Sequence, residues 1–514
     1  MSYKAKKEKN YIFFSKNLLT RKKPYGKLVT SKHPMFTDKS GWYWRVFRQI
    51  TYIILRRVSD MKRILVLLMS VVMLVSMLFA TAAFADERTK VRIAWLNLPD
   101  RDTMDPINGL EYKGSSYLKD LLEEKHPNVE IEFIHLPSDG WIQKTETLVA
   151  NGEADIAYYT NQVAAYQWFE DHRTFMANDP NFTEQTFEDT FLPGPKHYTR
   201  FRSYDAPEKT DAIYGLPYAQ ASYWLMYDKV LFEQWGVEVP TGPVTFEQLR
   251  EMALKMTGEN PVTGQQNFGI YIMPFWCEWF GVGEDCYPVV ENETMNIADL
   301  DMDKYVEYIK DDENVLNFFT TLQDMVKCTP PGAASWSGNE KWMTPDNDIA
   351  IMMHAFSNNA YVPHMKAGNK DVTDRFVPFQ YPVGDLGMSM FPEIYHMAVV
   401  KDSPVKDLAW EVLKTISTDK DVLNLIFNNY ATQMVPTLQD PSGLEIMDIP
   451  FVAERYEDRK NHSFISDDYW YWREPINKIF STFFAGEMSP EEARTAFYDN
   501  TVEWINNKIA QTAK

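Results

Sequence analysis

The sequence predicts an α/β protein built around a parallel β-sheet. Between residues 90 and 160, short apolar strands alternate with amphipathic helices, and the connections between them are short. Strand–helix–strand units of this kind form right-handed crossovers in which the strands run parallel. The predicted strands are 91–95, 129–133 and 155–159, and the predicted helices lie around 117–122 and over 141–151.

Local signals support each of these elements. The first helix ends before Pro127, because proline cannot continue a helix. Strand 129–133 alternates apolar residues with glutamates, which is typical of a strand with one buried face. The second helix begins at Trp141 and is closed by Gly152, a residue type that readily adopts the left-handed conformation of a helix end.

A second region, residues 222–257, also contains a predicted strand and predicted helices. Residues 222–227 predict a strand, and helix 228–235 stops at Gly236. Thr245 and Gln248 predict a capping box, in which the hydroxyl and the amide satisfy free backbone N–H groups, opening a helix to residue 257.

The remaining chain is less regular at first and then mostly helical. Residues 260–345 show no clear period, whereas Ser489 and Glu492 predict another capping box that opens a final helix to about residue 509. Further predicted elements are a buried strand at 349–353, a crossing segment at 377–382, a strand at 397–400, and helices at 405–416 and 419–429.

A parallel sheet presents a ligand site beyond the carboxyl ends of its strands. In the predicted sheet those ends carry residues 95–97 (Trp-Leu-Asn) and 158–160 (Tyr-Tyr-Thr). The sequence therefore predicts a small-molecule site at this edge of the sheet.

Residues 61–85 read as a secretory signal peptide that begins far inside the chain. A basic start at 61–63 precedes an almost wholly apolar run at 64–79, and 83–85 (Ala-Phe-Ala) has the pattern that signal peptidase cleaves after. We expect an exported chain that begins at Asp86. The alternative is a retained membrane anchor, since the run approaches the shortest spanning length. The residue directly after the predicted cleavage site is not a cysteine, so we expect no lipoprotein.

Residues 1–60 have two readings. They hold 15 Lys and Arg against 3 Asp and Glu, so they are either a basic extension on the inner membrane face or upstream sequence that precedes a true start at Met61. Arg56 and Arg57 favour the second interpretation. Two arginines can be encoded by AGG-AGG, which resembles a bacterial ribosome-binding sequence, and they lie at a suitable distance before Met61.

The exported part is strongly acidic. Residues 86–514 hold 35 Lys and Arg against 69 Asp and Glu. Such a chain stays soluble and is a poor partner for nucleic acid or anionic membranes. We therefore expect no nucleic-acid partner.

Motifs for metals, cofactors and catalysis fail on inspection. The segment 299–303 begins like a calcium loop, but Lys304 and Lys310 occupy the positions that need Gly and Glu. The sequence has no His-Glu-x-x-His, Cys-x-x-Cys or Gly-x-Ser-x-Gly motif, so no metal site, cofactor or catalytic residue is predicted. Cys277 and Cys286 either form a disulfide, leaving Cys328 unpaired, or all three are free thiols.

These landmarks, in this order, resemble the carbohydrate-type solute-binding proteins of ABC importers, the maltose-binding-protein-like family. Asp228 and Phe246 depart from the family pattern, which usually has Asn and Trp at those positions. The matching segments are 152–156, 213–218, 225–229, 236–240, 245–257, 348–353, 397–400 with the helix from 405, and 489–493, which together span residues 90–510.

The resemblance implies a two-lobe α/β fold, periplasmic-binding-protein-like and of type II. Two or three hinge crossings join the lobes, which close on a ligand in the cleft between them. The implied hinges are 215–217 (Gly-Leu-Pro) and 380–382 (Gln-Tyr-Pro). The implied N-terminal lobe is 86–216 with 383–436, and the C-terminal lobe is 217–382 with 437–514.

The resemblance also implies a function. We expect an extracytoplasmic binding component, monomeric and without enzyme activity, that captures a mono- or oligosaccharide and delivers it to ABC permease subunits. Two alternatives remain open: a secreted carbohydrate-active enzyme with the same aromatic cleft, or the same fold binding a quaternary amine in an aromatic cage.

The binding candidates are aromatic and amide side chains, because sugar ring faces stack on aromatic rings and hydroxyl groups need hydrogen-bond partners. Each aromatic candidate has core packing as its alternative. Carried over by position, the candidates are Trp95, Asn97, Tyr158, Tyr159, Gln220, Trp224, Trp276, Trp279, Phe356, Trp470 and Trp472. Five other tryptophans at helical spacing are expected to pack: Trp141, Trp168, Trp235, Trp410 and Trp504.

Overall fold

The chain forms two compact units, residues 1–86 and 87–514. In the first unit the computed structural model describes Arg48 and Gln49, both exposed. The predicted signal segment 61–85 and the rest of the basic extension therefore lie outside the described residues. In the second unit the described residues are 88–104, 111–137, 140–158, 165–201, 212–221, 224–274, 277, 280, 313–335, 337–353, 355–382, 394–430, 434–461 and 469–512.

Two mixed sheets organise the second unit. Its strands are β1 Thr89–Leu96, β2 Thr103–Met104, β3 Glu111–Tyr112, β4 Val129–Leu136, β5 Ile156–Tyr158, β6 Arg200–Phe201, β7 Ala212–Ile213, β8 Leu216–Ala221, β9 Leu225–Asp228, β10 Gly258–Glu259, β11 Gln266–Tyr271, β12 Ile349–Met352, β13 Phe376–Phe379, β14 Ile394–Val399 and β15 Met434–Val435. The first sheet has the order β15-β8-β14-β5-β1-β4, and the second β10-β11-β12-β9-β13.

The first sheet contains the crossover units that the sequence predicted. β1 pairs in parallel with both β4 and β5, while β14 runs antiparallel to β5. Val91 and Ile93 of β1 and Ile131 of β4 are fully buried, as the alternation of apolar residues requires. We call the part of the molecule built on this sheet the first lobe, and the part built on the second sheet the second lobe.

Helices cover both sheets. They are α1 Ser115–Lys125, α2 Trp141–Ala150, α3 Ala165–Trp168, α4 Arg173–Met176, α5 Glu184–Thr190, α6 Pro193–Thr199, α7 Lys229–Trp235, α8 Phe246–Lys255, α9 Glu313–Lys327, α10 Ala355–Lys366, α11 Lys370–Thr373, α12 Lys406–Thr418, α13 Lys420–Asn429, α14 Pro450–Asn461, α15 Tyr469–Phe484 and α16 Pro490–Thr512.

Both predicted capping boxes are confirmed. Gln248 N donates to Thr245 Oγ1 at 3.1 Å, and Thr245 N donates to Gln248 Oε1 at 2.9 Å. Ser489 and Glu492 make the same reciprocal pair at 3.2 and 2.8 Å. Gly236 closes α7 with a φ of 61°, a conformation that glycine adopts without strain.

The chain passes between the sheets three times. It leaves the first sheet after β8, returns between β13 and β14, and leaves again after β15 towards α15 and α16, which pack beside α9. β8 continues to Ala221, beyond the expected hinge at 215–217, so the first passage lies between Ala221 and Leu225.

The described parts of residues 260–345 are more regular than the sequence predicted. This stretch contains β11 and the 15-residue helix α9, whose buried Phe318, Phe319 and Leu322 face one side. The sequence did not predict this helix, because the many Trp, Pro and acidic residues elsewhere in the stretch give it no clear helical period. Among the described helices, none is both long enough and apolar enough to span a membrane.

Candidate functional site

Two predicted binding residues lie side by side at the carboxyl edge of the first sheet. The register pairs Ile93 with Ile156 and Ala94 with Ala157, so Trp95 and Tyr158 follow as neighbours at the strand ends. Residues in register on adjacent strands point to the same face of a sheet. β1 and β5 therefore present these two rings together.

Four further rings extend this pair into a continuous line of ring contacts. The ring centroids of Trp95 and Tyr218 are 5.2 Å apart, those of Tyr218 and Tyr395 6.3 Å, and those of Tyr395 and Tyr158 5.6 Å. Phe133 lies 6.0 Å from Trp95 at one end, and Trp141 lies 5.1 Å from Tyr158 at the other. We call the six residues Phe133, Trp95, Tyr218, Tyr395, Tyr158 and Trp141 the aromatic row.

A β-bulge brings Tyr218 into the aromatic row. Along the β8–β14 ladder, Tyr395 pairs with Ala219 and His396 pairs with Pro217, so Tyr218 is the extra residue. An extra residue interrupts the strict alternation of a strand and redirects a side chain. The bulge thus turns Tyr218 towards Trp95, although β1 and β8 are not neighbours in the sheet.

The aromatic row combines buried and partly accessible rings. Trp95, Tyr158 and Tyr218 are almost fully buried, whereas Phe133 and Tyr395 are half-buried. Burial raises the pKa of Tyr218, while a hydrogen bond from Trp95 opposes that shift. Its phenol therefore remains protonated at neutral pH, and its hydroxyl group hydrogen-bonds with Trp95.

Asn97 marks the end of β1 with an unusual backbone conformation. It is exposed and has a φ of 57°, a left-handed value that asparagine tolerates better than most residues. The loop that follows is held by His135, whose Nδ1 lies 2.7 Å from the Leu98 carbonyl oxygen. The Asn97 amide is therefore carried on a fixed turn beside Trp95.

Two other candidates have structural contacts of their own. The buried Gln220 side chain donates from Nε2 to the Pro436 carbonyl oxygen at 2.9 Å, which links β8 to the segment after β15. The ring of Trp224, which is also buried, lies 5.5 Å from Phe451 of α14. Both residues lie where the chain leaves the first sheet.

The remaining candidates are only partly placed. Tyr159, Trp276 and Trp279 lie outside the described residues, as does Cys286 of the possible disulfide with Cys277. Phe356 belongs to α10, and Trp470 and Trp472 belong to the first turn of α15, so their backbone positions are known. Their assignment to the site stays a prediction.

Sequence reasoning named two of the six rings as binding candidates. Trp141 was expected to pack, and the structure confirms this by burying it against Tyr158, while Phe133 was assigned only to the buried face of a strand. Tyr395 precedes the predicted strand 397–400, whereas β14 begins at Ile394. Tyr218 ends the hinge motif 213–218, and its aromatic character beside a Gly-Leu-Pro turn was the signal that pointed to it.

Two buried histidines of the first lobe are neutral at pH 7. Burial lowers the pKa of His172 to about 3 and that of His396 to about 4. The His172 ring accepts a hydrogen bond from Val399 N at 3.1 Å, and the His396 ring packs on Tyr198 at 5.3 Å. Both therefore act as uncharged packing groups, and neither supplies a proton at neutral pH.

An open groove of about 710 Å³ lies at the opposite edge of the first lobe. Glu170 lines this groove, and its neighbour Phe169 forms a β-bridge with Val400. Val400 lies just past the carboxyl end of β14, whereas Tyr395 lies near the start of that strand. Two ion pairs involve residues that line the groove: Lys406 lies 2.8 Å from Glu170, and Glu411 lies 2.9 Å from Lys414. Within the described part of the chain, no group of His, Cys, Asp and Glu side chains is arranged to hold a metal ion.

The model of the bacterial extracellular solute-binding protein family matches residues 109–422, more than half of the chain. The chain belongs to this family, and family membership places it outside the cytoplasm. Among the curated proteins, none matches the sequence significantly.

Solved structures of solute-binding proteins share the two-lobe architecture. An ABC substrate-binding protein from Listeria monocytogenes in complex with cycloalternan is 17% identical, with a TM-score of 0.60, over 82% of this chain and 99% of that one. The GacH receptor of Streptomyces glaucescens, studied with acarbose, is 18% identical, with a TM-score of 0.57, over 80% and 97%. Maltose-bound MalE3 of T. maritima is 16% identical, with a TM-score of 0.59, over 81% and 100%.

Proposed function

We propose that this chain is the substrate-binding component of an ABC importer and binds a neutral mono- or oligosaccharide between its lobes. The observation that carries the proposal is the aromatic row at the carboxyl edge of the first sheet. In an α/β sheet this edge is where ligands bind. The lobe division implied by the resemblance is part of the same proposal, with β8 as far as Ala221 and helix α14 counted in the first lobe, because β8 pairs in the first sheet and Tyr456 of α14 bonds Leu438.

The chemistry of the row suits a sugar. Sugar rings have apolar faces that stack on aromatic side chains, and the half-buried rings of Tyr395 and Phe133 supply such faces, with the buried rings of Tyr158 and Trp95 packed against them. Sugar hydroxyl groups need partners in a site that excludes water, and the hydroxyl of Tyr218 and the amide of Asn97 are neutral donors and acceptors. A site of neutral groups favours a neutral ligand, because it offers no counter-charge to an ion.

The structural neighbours support the same class of ligand. The three proteins described above were solved or studied with cycloalternan, acarbose and maltose, which are carbohydrates or carbohydrate analogues. At 16–18% identity this likeness supports the ligand class and leaves the individual sugar open. Rings contributed by the second lobe, with Trp276, Trp279, Phe356, Trp470 and Trp472 as the candidates, would complete the cleft.

A thermal-shift screen tests the proposal. A ligand that binds only the folded chain raises the melting temperature, so the exported chain is melted with maltose, maltotriose, xylobiose, glucose and mannitol in turn. Glycine betaine serves as the probe for the quaternary-amine alternative, which the same rings would also suit. A rise with betaine and none with any sugar would replace the carbohydrate proposal.

The binding protein and the enzyme are separated by turnover. A solute-binding protein returns the stabilising sugar unchanged, whereas a carbohydrate-active enzyme converts an oligosaccharide into shorter products. Chromatography of maltotriose after prolonged incubation with the chain distinguishes them. Shorter products that accumulate in proportion to protein concentration would contradict the binding proposal.

Export and delivery complete the proposal. Residues 61–85 act as the signal peptide, the exported chain begins at Asp86 without a lipid anchor, and it works as a monomer that presents its ligand to the permease subunits. Its excess of acidic residues argues against a nucleic-acid partner. Mass spectrometry of the exported chain tests the cleavage site, since an N-terminus upstream of Asp86 contradicts it.

A further inference from the structure

Three residues of α14 share one face of that helix. Phe451, Arg455 and Asp458 are spaced by four and three residues, which places them above one another on an α-helix. Arg455 is fully buried, and its guanidinium lies 4.9 Å from the centre of the Phe451 ring. This face of α14 is therefore fixed by packing along two helical turns.

The helix is anchored in the first lobe. Tyr456 Oη donates to the Leu438 carbonyl oxygen at 2.8 Å. The segment that contains Leu438 is itself held by the first lobe, because Leu192 N donates to Thr437 O at 2.8 Å and Gln439 N donates to Thr190 O at 2.8 Å. The turn before α14 is tied to α13, since Asn428 Nδ2 donates to Glu445 Oε2 at 2.7 Å.

The shared face contacts the second lobe at the end of one strand pair. Leu225 of β9 pairs with Phe379 of β13, so Trp224 and Gln380 sit opposite each other just outside this pair. The Phe451 ring lies 5.5 Å from Trp224 in an edge-to-face arrangement. Seven residues further along α14, Asp458 Oδ1 accepts a hydrogen bond from Gln380 Nε2 at 3.1 Å.

A second contact comes from α10. The ring of Tyr361, on the second lobe, lies 5.5 Å from Phe451 at an interplanar angle of 89°. Phe451 is therefore enclosed by the ring of Trp224 in the first passage, by the ring of Tyr361 in the second lobe and by Arg455 of its own helix. Trp224 and Gln380 each border a passage of the chain between the lobes, so contacts made there bear directly on the hinge.

We propose that α14 is an interlobe clamp, in which Phe451 and Asp458 hold Trp224 and Gln380 and thereby set the balance between lobe arrangements. On this assignment Trp224 acts in the hinge. The contacts exist in the lobe arrangement of this structure, so their loss shifts the population away from it. Ligand affinity changes indirectly, because apparent affinity depends on the fraction of molecules in the binding-competent arrangement.

The test removes both contacts without introducing charge. The variant Phe451→Leu/Gln380→Met loses the ring contacts and the hydrogen bond while keeping similar side-chain volumes. A matched control is Phe182→Leu/Gln185→Met. Phe182 makes an edge-to-face contact with Trp410 at 5.7 Å, and Gln185 Nε2 donates to Asp189 Oδ1 at 3.0 Å, both inside the first lobe.

Small-angle X-ray scattering of the ligand-free exported chain gives the result. We expect the radius of gyration and the pair-distance distribution of the clamp variant to differ from those of wild type, and those of the control to match it. Identical curves for all three folded proteins would overturn the proposal. If the double variant fails to fold by circular dichroism, Gln380→Met alone carries the same test against Gln185→Met.

A binding readout rests on the proposed function and is kept separate. With maltose as the probe, we expect the Kd of the clamp variant to change by roughly threefold or more, in the direction that its shape change predicts. An unchanged Kd together with a changed shape would overturn the link between clamp and affinity. Failure of wild type to bind any sugar would count against the proposed function and would leave the scattering result intact.

Discussion

Trp95 and Tyr218 meet edge to face, with 5.2 Å between their ring centroids, although β5 and β14 lie between their strands in the first sheet. The contact depends on the bulge in β8, which makes Tyr218 an extra residue in the ladder with β14. Without the bulge, alternation would direct this side chain differently. An irregularity of the sheet thus joins two otherwise separate halves of the aromatic row.

The first prediction concerns Tyr395, the half-buried ring at the centre of the row. We expect Tyr395→Ala to weaken binding of the sugar that stabilises the chain most by about tenfold, or ~1.4 kcal/mol, because a stacking face is removed. Isothermal titration calorimetry measures the change. Tyr117→Ala is the control, since Tyr117 lies on α1 and is 43% exposed. Equal affinity for wild type and a folded Tyr395→Ala variant would remove this ring from the site.

The second prediction concerns the opposite wall of the cleft. The family resemblance assigns Trp276 to an aromatic loop of the second lobe. We expect Trp276→Ala to weaken sugar binding at least about tenfold, roughly 1.4 kcal/mol, while the melting temperature without ligand changes little. Calorimetry of this variant beside Tyr395→Ala compares the two walls. If only the first-lobe variant binds more weakly, Trp276 does not contact the ligand.

The third prediction concerns the turn that leads into β8. Gly215 has a φ of 157°, and a Cβ placed there would lie 2.5 Å from His396 Cδ2 and 3.0 Å from the Met397 carbonyl oxygen. We expect Gly215→Ala to lower the free energy of unfolding by about 1–3 kcal/mol, because both the backbone and the packing are strained. Gly242→Ala has open space and is the control for urea denaturation. Equal stability of the two variants would contradict the close packing at Gly215.

The fourth prediction concerns acid stability. Burial lowers the pKa of His172 to about 3 and that of His396 to about 4, below the ordinary histidine value of 6.5. The unfolded chain therefore binds more protons between those values and pH 6.5, and stability falls as pH decreases through this window. The stability associated with the two neutral histidines is fully present above pH 6.5 and is lost progressively as the pH falls towards 4 and 3. Where a histidine is protonated in the unfolded chain and neutral in the folded chain, it changes the free energy of unfolding by roughly 1.4 kcal/mol per pH unit.

Chemical denaturation at several pH values between 7.5 and 4.5 measures this slope. His396→Phe keeps a ring against Tyr198 but removes one titrating group, so we expect a shallower pH dependence than in wild type. An identical slope in wild type and His396→Phe would show that this histidine is not buried in its neutral form.

The elements of the fold were largely predictable from local signals. The strands of the first crossover units, the capping boxes at Thr245 and Ser489 and the glycine stop at Gly236 each depend on neighbouring residues, which a sequence displays directly. The aromatic row was predictable only at Trp95 and Tyr158, which follow strands of the expected sheet. Tyr218 and Tyr395 joined them through a bulge and a strand order that arise from long-range pairing.

The contacts of α14 were beyond local signals for the same reason. Phe451 meets Trp224 and Tyr361 from distant parts of the chain, and neither partner is marked by a motif. The pattern around Trp224 predicted a binding residue, since an aromatic side chain after a hinge strand suits a cleft. Its contact with Phe451 joins two segments that are distant in the sequence, so no local signal could predict it.

The most direct test of the central claim is the melting temperature of the exported chain, measured with and without each sugar. We predict a saturable rise for at least one neutral sugar, equivalent to ~2.7 kcal/mol when the free sugar is at a hundred times its Kd. The same sugar should be recovered unchanged. A flat response to every sugar in the panel, or a rise with glycine betaine alone, would contradict the account.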